Sequence, residues 1–333
     1  MTLKSSAAEI VFDRVTKRYG KSQKPAIDDL SLTVPAGDIC VVIGPSGAGK
    51  TTAMKMVNRL ISITDGDITI DGTSVNSLDV TELRRGIGYV IQQVGLFPHM
   101  TVEQNIATVP KLLGWDKRRI RSRAHELLEL VGLDADEHGK RYPAQLSGGQ
   151  RQRVGLARAM AADPPLMLMD EPFGAIDPIT RARLQNDFLR LHSEIRKTVV
   201  FVTHDIDEAI KMGDRICILR EGGRLAQYDA PEAILADPAD DFVAHFVGAD
   251  RGLKRLALRR LEDVELDPVP RTNGKAPPEC GTGATLREAL SLMLTDGSSG
   301  VVVRGSGGEA KGYLTFDVVS RLLAPDSDSE AVS

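Results

Sequence analysis

The run Gly44-Pro45-Ser46-Gly47-Ala48-Gly49-Lys50-Thr51-Thr52 fits the pattern G-x-x-x-x-G-K-[ST]. Its glycines let backbone N–H groups close around phosphate oxygens with no Cβ in the way. Lys50 has the reach for β- and γ-phosphates, and the Thr51 hydroxyl suits Mg²⁺. Further along, Asp170-Glu171 sets two carboxylates side by side. Such a pair at the end of a buried strand is costly unless it serves a cation or a proton transfer. Asp170 fits the cation anchor, and Glu171 fits the base that orients an attacking water. Gln92 ends a strand-like run with a polar amide that would ligate Mg²⁺ or position water. His204 ends another; a lone histidine there is commonly structural, but this one shares its sheet edge with the other candidates. Ser147, a good N-cap, with Gly148, Gly149 and Gln150 makes a second helix-terminus anion site, although in isolation it reads as a plain capped turn. The chemistry these residues share is that of a bound nucleoside triphosphate.

The elements that must position them are visible in the hydrophobic pattern. Ile39-Cys40-Val41-Val42-Ile43 is an apolar run of strand length before the phosphate loop, and Ala53, Met56, Val57 and Leu60 follow at the spacing of one helix face. The loop thus joins a strand to a helix N-terminus, where free N–H groups and the helix dipole favour an anion. Leu166-Met167-Leu168-Met169 and Val199-Val200-Phe201-Val202-Thr203 are buried parallel-strand runs delivering Asp170-Glu171 and His204. Residues 9–34 alternate as strands, and Asp67–Gly72 continues that small β layer. Tyr19 lies among them as either a nucleobase-stacking aromatic or an ordinary strand-end tyrosine. Thr101 to about Val131 reads as helical with Gly132 as its C-cap, and Val154, Ala157 and Ala161 mark one face of the helix after Gln150. The apolar, Pro98-broken loop Val94–Val102 would seat a partner helix or cover the core.

Composition narrows the class. The chain has 333 residues and a net charge of −4, which suits one large α/β domain plus a smaller one and does not suggest a general nucleic-acid binder. Lys117-Arg118-Arg119 with Arg121 and Arg123 reads as a solvated helix face. Cys40, Cys217 and Cys280 are isolated, in the manner of reduced cysteines in a cytosolic protein. No apolar run approaches bilayer length and no signal-like start is present, so a membrane would be reached only through a partner.

Taken together, the motifs resemble the ATP-binding subunits of ABC transporters over about residues 9–248. The phosphate loop is followed by the glutamine loop at Gln92, the signature Leu146-Ser147-Gly148-Gly149-Gln150, Asp170-Glu171 and the switch His204. Asp177 falls at the family's D-loop aspartate, although Gly174 departs from the usual residue there, and Tyr19 matches the family's adenine-stacking aromatic. The resemblance implies a P-loop cassette: a mixed sheet flanked by helices, an antiparallel β subdomain and a helical subdomain. It implies ATP and Mg²⁺ as cofactors, with Thr51, Gln92 and Asp170 toward the metal. It also implies two copies facing head to tail, each ATP between one chain's phosphate loop and the other's Ser147-Gly148-Gly149. The partners implied are integral-membrane permease subunits and, indirectly, an extracytoplasmic solute-binding protein, with no nucleic acid. The location implied is the cytoplasmic face of the cell membrane.

The segments Val90–Val102 and Gly248–Lys254 are similar to those of the glycine betaine/carnitine/choline importers, the quaternary-amine osmoprotectant branch. An importer for another small solute, such as an amino acid, is the alternative. A non-transport ABC ATPase would carry two cassettes or a coiled coil between Lys50 and Leu146, and neither is present. A purely regulatory nucleotide sensor would not need Glu171 and His204 together. After the ABC domain (1–248), residues 249–284 read as a linker and irregular start, and 285–323 resemble the core of one α+β CBS-like repeat. Its helix has an apolar face at Leu286, Leu290 and Met293 that so small a unit can hardly cover alone, so residues 255–323 are expected to pair with the same segment of a second copy. Residues 324–333 read as a disordered acidic tail.

Overall fold

Ile39–Ile43 is buried at every position, as a strand covered on both faces must be. It lies inside a six-stranded sheet in the computed structural model, which describes residues 7–20, 24–92, 95–174, 176–270 and 276–323. The chain divides into two units, one ending at Ala230 and the next beginning at Pro231.

In chain order, the strands of the first unit are β1 (Ile10–Lys17), β2 (Ile27–Val34), β3 (Ile39–Ile43), β4 (Asp65–Ile70), β5 (Thr73–Ser74), β6 (Ile87–Val90), β7 (Leu166–Asp170), β8 (Thr198–Val202), β9 (Arg215–Arg220) and β10 (Arg224–Asp229). The large sheet has the order β10-β9-β3-β8-β7-β6. Its first five members in sequence run parallel, and β10 closes one edge antiparallel. The second sheet, β2-β1-β4-β5, is antiparallel throughout. Sequence explains the difference: β7 and β8 are buried along their whole length, whereas β2 alternates buried and open positions. One apolar core joins Ile10, Ile68, Met54, Leu168, Val202 and Cys217.

Register decides where the chemistry emerges. Val42 of β3 pairs with Val202 of β8, and Val202 pairs with Asp170 of β7. The phosphate loop, Asp170-Glu171 and His204 therefore leave the same carboxyl edge of the sheet.

Two helical expectations are corrected. The helix after the loop spans Lys50–Val57 and buries Ala53, Met56 and Val57, but Leu60 is 48% exposed beyond its end. The helix closes at Asn58, and Arg59 turns left-handed at φ 53°. The stretch from Thr101 is three helices, Val102–Ile106, Thr108–Leu112 and Lys117–Leu130, interrupted at Gly114 with φ 74° and restarted by the Asp116 cap. Gly132 ends the last at φ 69°, with Leu133 N donating to Leu128 O as in a Schellman turn.

The second unit holds β11 (Glu279–Gly281), β12 (Gly300–Arg304) and β13 (Ala310–Thr315) in that spatial order, the first pair parallel and the second antiparallel. It begins upstream of Gly248 because the helix Pro231–Ala236 packs on the helix Arg251–Leu258, and Arg259 meets Glu232 at 2.8 Å. Leu286 and Met293 of the helix Leu286–Asp296 are fully buried within this unit against Leu256, Val301, Leu314 and Val319, with Leu290 partly covered. The apolar face expected to need a second copy is thus filled by the chain's own helices and strands. The acidic tail lies outside the described residues. Among those described, no helix is long and apolar enough to cross a membrane, and Cys40, Cys217 and Cys280 are free thiols.

Candidate functional site

The three glycines of the phosphate loop all take positive φ, at 155°, 81° and 84°, but for different reasons. A Cβ on Gly44 would strike the Leu219 carbonyl, and one on Gly49 would strike the Ala26 carbonyl and the Ile27 side chain. A Cβ on Gly47 would meet nothing within 4 Å, so at Gly47 only the backbone conformation calls for glycine. Ala48 N donates to Pro45 O at 3.2 Å, closing a turn with Ser46 and Gly47 exposed at its tip. Ala48 is buried beneath it, and Thr52 lies half-buried in the helix that follows. Lys50 Nζ donates to Gly44 O and Pro45 O at 2.8 and 2.9 Å, placing its charge under the centre of the loop. Burial holds its pKa below the usual lysine range, against the opposing pull of Glu171 and Asp170.

Thr51 Oγ1 donates to Asp170 Oδ1 at 3.2 Å, so the two groups assigned to a cation already touch. Burial raises the Asp170 pKa, and the Thr51 hydrogen bond and nearby Lys55 oppose the shift. A buried carboxylate and a hydroxyl form a hard-oxygen donor pair of the kind Mg²⁺ takes. Among the described residues no cluster of His, Cys, Asp and Glu would hold a metal by itself. The remaining oxygens would have to come from the nucleotide.

Glu171 is the first residue past β7 and adopts φ 45°, a left-handed conformation uncommon for a side-chain-bearing residue. Its N–H donates to Val202 O at 2.9 Å, which pins the turn to β8. Both carboxylate oxygens are engaged: Gln92 Nε2 donates to Oε2 at 2.8 Å, and His204 Nδ1 lies 3.2 Å from Oε1. The three residues named from sequence as catalytic candidates are thus brought together. Tyr19 is 49% exposed, with Lys17 Nζ 5.1 Å from its ring centroid, so one ring face is backed by a cation.

The remaining candidates take helix-cap positions. Ser147 Oγ accepts from Gln150 N at 3.2 Å and Gln150 Oε1 accepts from Ser147 N at 2.9 Å, a closed capping box ahead of the helix Gly148–Met160. Gly148 is exposed and Gly149 half-exposed. Asp177 caps the helix Pro178–Ile195 by accepting from Thr180 N at 3.0 Å, and that bond holds its pKa low.

Two supporting residues escaped the sequence reading. Asn105 is fully buried, and its amide donates to Phe97 O, Met100 O and Thr101 O while its Oδ1 accepts from Phe97 N. It latches the apolar loop, of which Val94 lies outside the described residues. The signal was a polar residue at the middle of the buried stripe Val102, Asn105, Ile106. Glu208, also buried, accepts from Gln185 Nε2 at 2.9 Å and sits on a similar stripe beside Ala209 and Met212. The loop also borders a groove of about 320 Å³ lined by Phe97, Tyr89, Val109 and Arg158.

Residues 27–174 match the protein family described as ABC transporter. Over 308 residues the chain is 48% identical to the osmoprotectant import ATP-binding protein OsmV of Salmonella typhimurium, covering 92% of this chain and 78% of that protein. The chain belongs to the ABC transporter ATP-binding family. This cassette is also 46% identical, over 93% of its own length and 79% of the relative, to the glycine betaine/carnitine/choline transport ATP-binding protein OpuCA of Bacillus subtilis. Among solved structures, the ATP-binding cassette MJ0796, described as a dimer in a post-hydrolysis state bound to ADP and Pi, shares 34% identity with a TM-score of 0.60, covering 67% of this chain and 98% of that one. The cassette CbiO1 of Clostridium perfringens, at 22% identity and a TM-score of 0.65 over 75% of this chain and 94% of that one, shares the fold. Membership makes the chain an ABC ATPase, with ATP hydrolysis coupled to transport.

Proposed function

We propose that this ABC ATPase powers import of a quaternary-amine osmoprotectant of the glycine betaine, carnitine or choline type through a separate permease. The solute class rests on relatives that carry those names and align along most of the chain. In this reading Lys50 and the loop N–H groups hold the β- and γ-phosphates, and Tyr19 stacks on the adenine. Thr51 and Asp170, with Gln92 nearby, would hold Mg²⁺, which when bound offsets negative charge on the phosphate oxygens. Glu171 orients the attacking water and accepts its proton.

The observation that carries the hydrolytic reading is the convergence of Gln92 and His204 on the two oxygens of Glu171. A carboxylate bonded at one oxygen and faced by an imidazole at the other is restricted in orientation, which a general base requires. A second copy of the chain, facing head to tail, would supply Ser147, Gly148, Gly149, Gln150 and Asp177 across the nucleotide; the dimeric state of the MJ0796 cassette supports this arrangement. The groove beside Phe97 would receive a permease helix and keep the subunit at the cytoplasmic face of the membrane. The test is uptake of radiolabelled glycine betaine, carnitine and choline by membrane vesicles carrying this chain with its permease and energised by internal ATP. Uptake of none of the three, with hydrolysis intact, would remove the solute assignment.

A further inference from the structure

Beyond the capping box, the signature turn is held by a histidine that no motif predicts. His138 closes the short helix Ala135–His138 and is 7% exposed. Its Nδ1 lies 3.0 Å from Asp134 O, and its Nε2 lies 3.3 Å from Gln150 Nε2. A backbone carbonyl only accepts, so Nδ1 carries the hydrogen and Nε2 presents a lone pair toward the amide. The other end of that amide, Gln150 Oε1, accepts from Ser147 N. If the amide turned over, its NH₂ would face the Ser147 N–H and its oxygen would face the imidazole lone pair, and neither contact is a hydrogen bond. With Nδ1 donating to the Asp134 carbonyl, the ring selects one orientation of Gln150. The box in turn takes the N–H groups of Ser147 and Gln150, leaving those of Gly148 and Gly149 as the first-turn donors without an intrahelical partner.

We infer that His138 is a positioning residue for ATP: through Gln150 it fixes the turn that offers the Gly148 and Gly149 N–H groups to the terminal phosphoryl group. This rests on the reading of Ser147–Gln150 as the second phosphate-binding turn. The contact, at a histidine only 7% exposed, acts on nucleotide affinity in the assembled state and not on the water-activating step at Glu171, which different residues hold.

The test is steady-state ATP hydrolysis by the full-length chain. His138→Phe keeps a ring but removes the lone pair, and the expected result is about a fivefold rise in KM with kcat held, the scale of one neutral hydrogen bond. His138→Gln returns an acceptor to the position of Nε2 and is expected to restore the parent KM. Ser147→Ala runs alongside as the check on the underlying reading. If Ser147→Ala raises KM and His138→Phe does not, the inference about His138 is overturned while the signature reading stands. If neither changes KM, the signature reading falls and takes the inference with it. A fall in melting temperature and kcat with KM unchanged would show a merely structural histidine and also overturn the inference. Should the Phe variant not fold, His138→Asn, whose amide stops short of Gln150, carries the same expectation.

Discussion

Gln92 donates its amide hydrogen to Glu171 across 2.8 Å, although 79 positions separate the two residues in the chain. This bond ties the end of the β6 segment to the left-handed turn that follows β7. Downstream of Gln92, Arg158 donates to Gly95 O at 2.6 Å and Asn105 latches the backbone of Phe97, Met100 and Thr101. The loop that borders the groove and the carboxylate at the sheet edge are thus fixed at the two ends of one short segment.

Glu171→Gln tests the base directly. The amide is nearly isosteric, so Lys50 and the loop are undisturbed, and ATP binding is expected to persist. Turnover is expected to fall by about 100-fold or more, the usual weight of a general base, and an ATP-bound dimer should accumulate. Lys50→Ala should weaken nucleotide binding itself. Hydrolysis by Glu171→Gln at the parent rate would show that another group activates the water.

The groove-side loop gives a second contrast. Phe97 is 41% exposed, so Phe97→Asp should leave the fold intact and cost less than opening a cavity in the core. Solute uptake should nevertheless be lost while the isolated ATPase continues to turn over. Asn105→Ala behaves differently: it removes the acceptor for Phe97 N and the donor to Met100 O from a fully buried position, and should cost about 2 kcal/mol. Normal uptake with Phe97→Asp would rule this loop out as the coupling surface.

The phosphate loop was legible because strand, glycines and helix appear in sequence order, and the sheet edge followed from runs such as Leu166–Asp170 and Thr198–Val202. What stayed hidden depends on contacts between distant residues. Nothing local marks Gly44 as crowded by Leu219 or Gly49 as crowded by Ala26. Leu60 continued the helical period but fell beyond the stop, because Arg59 turned left-handed. Gln92 was read as a ligand for metal or water, and its carboxylate partner could not be inferred from a residue 79 positions away. In the second unit, Leu286 and Met293 looked unpartnered because Leu256, which covers them, lies in a helix that the sequence assigned to a linker.

That packing predicts a measurable cost. Leu286→Ala opens a cavity in a fully buried site and should destabilise the second unit by about 2–5 kcal/mol. Chemical denaturation of the full-length chain should show the loss. Subunit association without ATP should not change, since the face is already covered inside one chain. If Leu286→Ala instead altered only the association state, the helix face would be an interface between copies after all.

The last prediction uses pH. Glu208 is buried on the helix Ile206–Met212, which starts just after His204, and accepts from Gln185 of the helix headed by Asp177. Burial and, less strongly, Asp205 raise its pKa, while Thr203, Gln185 and Arg181 pull it down; Lys211, bonded to Gln185 Oε1 at 3.0 Å, completes the charged surroundings. A carboxyl with a raised folded-state pKa binds its proton more tightly in the native state than in the unfolded chain. Its contribution to stability is therefore fullest below the ordinary glutamate range and is lost as pH climbs through the raised value. Glu208→Gln keeps an acceptor for Gln185 and removes the titration. Melting curves from about pH 4 to about pH 8 should show the variant gaining stability relative to the parent as pH rises. Parallel curves would mean that Glu208 is equally comfortable charged in both states, and that the hydrogen bonds from Thr203 and Gln185 fully offset its burial.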